Sequence, residues 1–136
     1  MQDRVVNIGI LGCGPIAQAG HFESVTKARN TRLHAICDVA GDLVERFAVA
    51  HGASETYSDY DAMLADSQLD AVIIATADAF HVPAALAGLA AGKHVLCEKP
   101  LGVALDEAEM LADAVADSGL NLQVGRMKRL DPGLTR

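Results

Sequence analysis

The chain has no tryptophan, only two tyrosines and three phenylalanines, and an aromatic share of 4%. Its interior must therefore be built from Ala, Val, Leu and Ile. Long hydrophobic runs are also missing: the longest pure aliphatic stretch, Ala71 to Ala75, falls far short of the ~20 residues needed to cross a bilayer. Cysteines number three, an odd count, and Cys13, Cys37 and Cys97 form no CxxC pair; this is reduced, intracellular usage rather than a disulfide framework. Met1-Gln2-Asp3-Arg4 leads into a short apolar run broken by Asn7, without the apolar core or cleavage site of a signal peptide. A cytoplasmic location is the expectation. Cations are scarce as well. Eleven Lys and Arg against eighteen Asp and Glu give a net charge of −7, which repels phosphate backbones and anionic lipid, and so argues against nucleic-acid and membrane-surface partners. What is present is an apolar share of 51% over 136 residues. That suits one folded domain, excludes disorder, and makes a small molecule the expected partner.

Short β-rich runs alternate with stretches of helical periodicity along the chain. Val5 to Leu11 predicts a first strand, stopped at Gly12, and Ile16 to Ala28 a helix. Thr31 to Cys37 reads as the second strand, Gly41 to Ala50 as a helix closed by Gly52, and Ser54 to Tyr57 as a weak third strand. Ser58, with Asp61 three residues on, is the expected N-cap of a helix carrying Met63 and Leu64. Ala71 to Ala75 is uniformly apolar, as a central parallel strand must be when both of its faces are covered. A helix with Val82, Ala85, Leu86 and Leu89 follows, then a fifth strand from Lys93 to Cys97. The next helix runs from Leu105 to Asp117, with Leu105, Ala108, Leu111, Ala112 and Val115 as its inward stripe. Leu120 to Val124 is the sixth strand. Strict alternation predicts right-handed βαβ crossovers and an α/β fold with a doubly wound parallel sheet of order 3-2-1-4-5-6, the Rossmann architecture. Residues 1–124 form the expected domain. Residues 125–136 hold Arg126, Lys128, Arg129 and Arg136 around Asp131-Pro132-Gly133, and read as a link toward a further domain.

Gly12-Cys13-Gly14-Pro15-Ile16-Ala17 matches G-x-G-x-x-G/A, after a strand and at the opening of a helix. Gly12 permits the tight turn, Gly14 lets the backbone approach a pyrophosphate, and Ala17 is small enough for the helix to lie on the sheet. Pro15 suits the first helical position, where no amide donor is needed, and the helix N-terminus favours an anion. Asp38 ends the second strand 21 residues past Ala17, where a carboxylate accepts from the adenosine ribose hydroxyls and repels a 2′-phosphate. Val39, Ala40 and Gly41 follow, with no Arg to welcome that phosphate. The expected cofactor is NAD(H), with NADP(H) disfavoured. Asp38 can equally cap the helix that follows it.

Glu98-Lys99-Pro100 lies at the carboxyl end of the fifth strand, the rim where open α/β sheets bind ligands. By spacing alone it is an ordinary solvated strand exit. Together with the glycine-rich turn, the run Ile74 to His81 and the run Ala91 to Pro100, however, it resembles the N-terminal half of the glucose–fructose oxidoreductase / inositol dehydrogenase / MocA family. Asp131-Pro132 and Arg129 extend the likeness to nearly the whole chain. The resemblance implies that Glu98 and Lys99 border the nicotinamide ribose, that Lys99 is the catalytic residue of this domain, and that a cis peptide precedes Pro100. It also implies that Ala75, Thr76, Asp78 and His81 border the cofactor. Beyond this domain it implies a second α/β domain carrying most of the substrate pocket and the interface of a homo-oligomer. Ala77-Asp78 departs from the family's frequent Pro-Asn, and Ala104 replaces a hydroxyl cap whose loss costs ~1 kcal/mol.

The family reading is an oxidoreductase moving hydride between nicotinamide and a C–OH or C=O carbon of a sugar or polyol, with this piece alone inactive. The alternative is a dinucleotide-binding module without chemistry, serving redox sensing or docking. No metal site is expected, because His94 and Cys97 stand three apart on a strand and point to opposite faces. Cys13 could be made reactive by the helix N-terminus beside it, although a small tolerated side chain is the simpler reading.

Overall fold

A computed structural model of the protein describes residues 4–125. Arg126, Lys128, Arg129, Asp131, Pro132 and the rest of the predicted link lie outside the described residues. Six strands form one parallel sheet: β1 (Val6–Leu11), β2 (Thr31–Cys37), β3 (Glu55–Tyr57), β4 (Ala71–Ile74), β5 (His94–Glu98) and β6 (Leu122–Gly125), in the order 3-2-1-4-5-6. The helices are α1 (Phe22–Lys27), α2 (Gly41–His51), α3 (Tyr60–Leu64), α4 (His81–Ala90) and α5 (Leu105–Ser118). This is the doubly wound architecture that the alternation predicts.

The all-apolar strand β4 shows why both faces must be covered. Val72 and Ile74 join a core with Met63, Leu64, Ala85, Leu89 and Leu111. Ile73, one residue out of phase, enters a second core with Phe22, Val25, Val44 and Ala48 on the opposite face. Two-residue periodicity thus divides one run between two layers of helix. Small residues set the helix-to-sheet distance: a Cβ on Gly88 of α4 would lie 3.1 Å from Val95 Cγ2 and 3.3 Å from Val72 Cγ1.

Several details differ from the sequence reading. The cap of α3 is Asp59, whose side chain accepts from Asp61 N–H at 3.2 Å, and not Ser58. An Asp two residues before a free amide closes an Asx turn, which shifts the start of the helix by one residue. On α5 only Leu111 is buried; Leu105 is 76% exposed and Ala112 is also exposed, so the apolar stripe is narrower than expected. The Ala104 side chain has no acceptor to offer, and the Glu107 carboxylate instead reaches back to the N–H groups of Val103 (2.9 Å) and Ala104 (3.3 Å). β6 begins at Leu122 and runs one residue into the segment read as a link. The helix expected from Ile16 opens irregularly, with a π-helical turn over Ala17–His21 before α1. In β2 the pairing with β1 skips His34, a bulge that leaves this residue free to point its ring elsewhere.

Candidate functional site: a cleft at the switch point

The strand order reverses between β1 and β4, so the crossovers on either side leave in opposite directions and open a crevice at the carboxyl ends of these strands. The glycine-rich turn fills one wall. Gly12 has φ 101°, and a Cβ there would stand 2.5 Å from the Ala75 carbonyl oxygen, so only glycine lets β1 turn beside the end of β4. A Cβ on Gly14 would meet nothing within 4 Å, which leaves the backbone there open to approach from the crevice. Gln18 N–H closes on Gly14 O at 3.1 Å, so the amides before it lie outside the helical ladder.

A cavity of about 800 Å³ occupies the crevice. Gly12, Gly14, Pro15, Ile16, Asp38, Ala75 and Thr76 line it with Ala77 and Phe80 of the Ile74 to His81 run, together with residues that the sequence did not single out for the site: Val39, Ser58, Asp59 and Tyr60. The latter come from the segments that follow β2 and β3, and no local motif marks them. Only the parallel pairing of β3 on β2, which sets Tyr57 opposite Cys37, brings that edge to the cleft. Asp38 is held from two sides. Its Oδ2 accepts from Cys13 N–H at 2.7 Å and its Oδ1 from Ala40 N–H at 2.9 Å. The N-cap of α2 is Ala40, without a side-chain cap, so Asp38 closes an Asx turn just ahead of the helix instead of capping it, while also lining the cavity.

The remaining predicted residues fall into two groups. Lys99 and Pro100 line a neighbouring cavity of about 490 Å³ with Leu101, Val103, Leu105 and Val124, and the Lys99–Pro100 peptide is cis. Asp78 is exposed and opens a short 3₁₀ turn, Asp78–Phe80. Ala77 before it has φ −62°, the angle a proline would impose, so the departure from Pro leaves the backbone path unchanged. Cys13, Ala17, His81 and Glu98 are buried. His81 is 1% exposed and ties two loops together, with Nδ1 2.7 Å from Pro100 O and Nε2 3.0 Å from Thr76 O. Both partners are carbonyls, which only accept, so the ring is the donor toward this pair of loops.

Cys13 is no activated thiol. Burial, then the Asp38 carboxylate and Cys37, push it up to about 12, and burial pushes Cys37 and Cys97 as far. The expected effect of the helix N-terminus loses to desolvation. The sequence reading also missed His21. The π-helical turn ends on it, and its Nε2 lies 2.6 Å from Glu98 Oε1. Among the described residues, no group of three His, Cys, Asp or Glu side chains converges as a metal site would require, and no helix is long and apolar enough to cross a membrane.

A doubly wound sheet with a glycine-rich turn, an acid at the end of β2 and a cavity between them defines the class: a dinucleotide-binding α/β domain. Comparison narrows it. The profile of the Gfo/Idh/MocA oxidoreductase family, NAD-binding Rossmann fold, matches residues 6–126, and the chain belongs to this family. Inositol 2-dehydrogenase 2 of Saccharopolyspora erythraea is 39% identical over 130 residues, covering 93% of this chain and 38% of the relative. The crystal structure of scyllo-inositol dehydrogenase from Lactobacillus casei with bound NAD(H) and scyllo-inositol superposes with a TM-score of 0.90 at 30% identity, over 95% of this chain and 38% of that one. A 3-ketoreductase from Actinomadura kijaniata, in complex with TDP-benzene and NADP, gives a TM-score of 0.91 at 29% identity, over 96% and 41%. The chain thus spans well under half the length of these relatives.

Proposed function

We propose that this chain binds NAD(H) in the cleft between β1 and β4, as the cofactor domain of an oxidoreductase acting on a sugar or polyol. The observation that supports this is a convergence: the glycine-rich turn, Asp38 and the loop after β4 line one cavity, and Lys99 stands on the same rim. A cavity of about 800 Å³ suits a dinucleotide half, and the open backbone at Gly14 suits a diphosphate. Gly12, Cys13, Gly14, Pro15, Ile16 and Ala17 would cradle the diphosphate with backbone and helix terminus. Asp38, already fixed by two amides, would accept from the adenosine ribose hydroxyls and repel a 2′-phosphate. Ala75, Thr76 and Asp78 would border the nicotinamide half, with His81 bracing them from behind. Glu98, Lys99 and Pro100 would close the far end.

When bound, the nicotinamide ring supplies the carbon that takes or gives hydride. Lys99 would hold or move the proton at the reacting hydroxyl or carbonyl oxygen. The named ligand of the Lactobacillus casei relative makes a cyclic polyol the substrate class to test first. The rest of the substrate pocket and a homo-oligomer interface would come from a further α/β domain, so residues 1–136 alone should show no turnover. Buried free thiols suit a reducing cytoplasm.

Isothermal calorimetry tests the cofactor directly. NADH is expected to bind more tightly than NADPH, by roughly tenfold or more, since one repelled phosphate is worth at least ~1.4 kcal/mol. Tighter NADPH binding would remove the NAD preference, and binding of neither would remove the reading itself.

A further inference from the structure

His21 and Glu98 form a close pair that no motif announces. They meet at 2.6 Å with side chains only 12% and 8% exposed. His21 arrives by way of a π-helical turn, in which Phe22 N–H returns to Ala17 O. Such a turn carries an extra residue, costs regular hydrogen bonding and recurs at functional sites. Here it directly follows the glycine-rich turn. Glu98 sits at the end of β5, beside Lys99, and is confined from the other side. A Cβ on Gly125 of β6 would lie 2.9 Å from the Glu98 carboxyl carbon and from Oε2, so only glycine leaves room for the carboxylate. A carboxylate so enclosed is costly without a donor, and among the described residues His21 is the side chain that faces it.

We propose that His21 is a positioning residue for the nicotinamide end of the cleft, acting through Glu98. This rests on reading the cleft as an NAD(H) site. The Nε2–H of His21 donates to Oε1 and fixes the carboxylate, and with it the Glu98-Lys99-Pro100 turn. It also ties that turn to the helical segment after the glycine-rich loop, whereas the loop itself is held independently by Asp38 at Cys13 N–H. Without His21, the enclosed Glu98 carboxylate loses its donor, and the turn that carries Lys99 is no longer held in place.

The test compares two ligands on three proteins. ADP reaches only the adenosine-diphosphate half of the cleft, whereas NADH fills both halves. Wild type, His21→Ala and His21→Gln, each checked by melting for a folded state, are titrated by calorimetry with both. His21→Ala should weaken NADH by about tenfold, the worth of a hydrogen bond to a charged group, and leave ADP unchanged. His21→Gln, which retains an amide donor, should restore NADH binding to within about threefold of wild type. Unchanged NADH affinity in His21→Ala overturns the proposal. So does an equal loss of NADH and ADP, which makes His21 a strut of the fold alone, or failure of His21→Gln to restore binding. Wild type that binds neither ligand defeats the cofactor reading instead.

Discussion

At the scale of single residues, burial outweighs local electrostatics. Cys13 has a helix start beside it, yet its thiol, like those of Cys37 and Cys97, is pushed up to about 12 because the thiolate would lose its water. The thiols should therefore be inert. Ellman's reagent at pH 8 is expected to label none of the three cysteines in the native chain and all of them in denaturant; one fast native thiol would refute the burial argument. The sign for stability follows. With folded values raised, the contribution of the buried thiols is intact below the unfolded range of ~8.5 and is lost as pH climbs above it. His81 teaches a similar lesson: its sequence position suggests a ligand contact, whereas both ring nitrogens face carbonyls of the protein. Asp38's place on the cavity wall was legible because it needs only a position at the end of a strand. His21 was not, since its partner is 77 residues away.

At the scale of elements, the turn between β1 and the π-helical segment carries the tightest constraint. Gly12 combines φ 101° with an approach that leaves no room for a methyl group against Ala75. Gly12→Ala should cost on the order of 2–4 kcal/mol, from the strained backbone and the clash together, read as a lower urea midpoint. A loss under ~0.5 kcal/mol, the range of ordinary surface changes, would show that the turn can relax. Strands and helices were legible where periodicity decides them: β2 over Thr31–Cys37 coincides with its predicted span. Caps were less so, because Asp59 and Ser58 both suit the role and only the backbone path chose between them. The stripe of α5 was overread, since sequence shows which residues are apolar but not how wide a face the sheet will cover.

At the scale of the whole molecule, one polar network holds distant segments together. Asp66, between α3 and β4, accepts from His34 of β2 at 2.8 Å and from Tyr57 of β3 at 3.0 Å, while Lys93 before β5 donates to the carbonyls of Asp66 and Leu69, each at 2.8 Å. The Gln68 amide first, and then His34, hold the Asp66 carboxyl below its ordinary range. The unfolded chain therefore binds this proton more readily than the folded one. Stability from Asp66 is complete above the ordinary carboxylate value of ~3.9 and is lost as pH falls through the folded value. Melting curves should show Asp66→Asn less stable than wild type at pH 7, with the two converging toward pH 3. A gap of constant size would assign the loss to packing rather than to charge.

Composition, periodicity and the glycine-rich turn by themselves determined the doubly wound class, the order of its strands and the edge of the sheet where a dinucleotide belongs. These depend on residues close in sequence and on the handedness of the crossovers. Only the tertiary structure decided which side chains share that edge. The bulge at His34, the pairing of β3 on β2, the Gly125 contact with Glu98 and the meeting of His21 with Glu98 all join segments far apart along the chain. Their energies arise from packing and desolvation, which exist only once the sheet has brought those segments together.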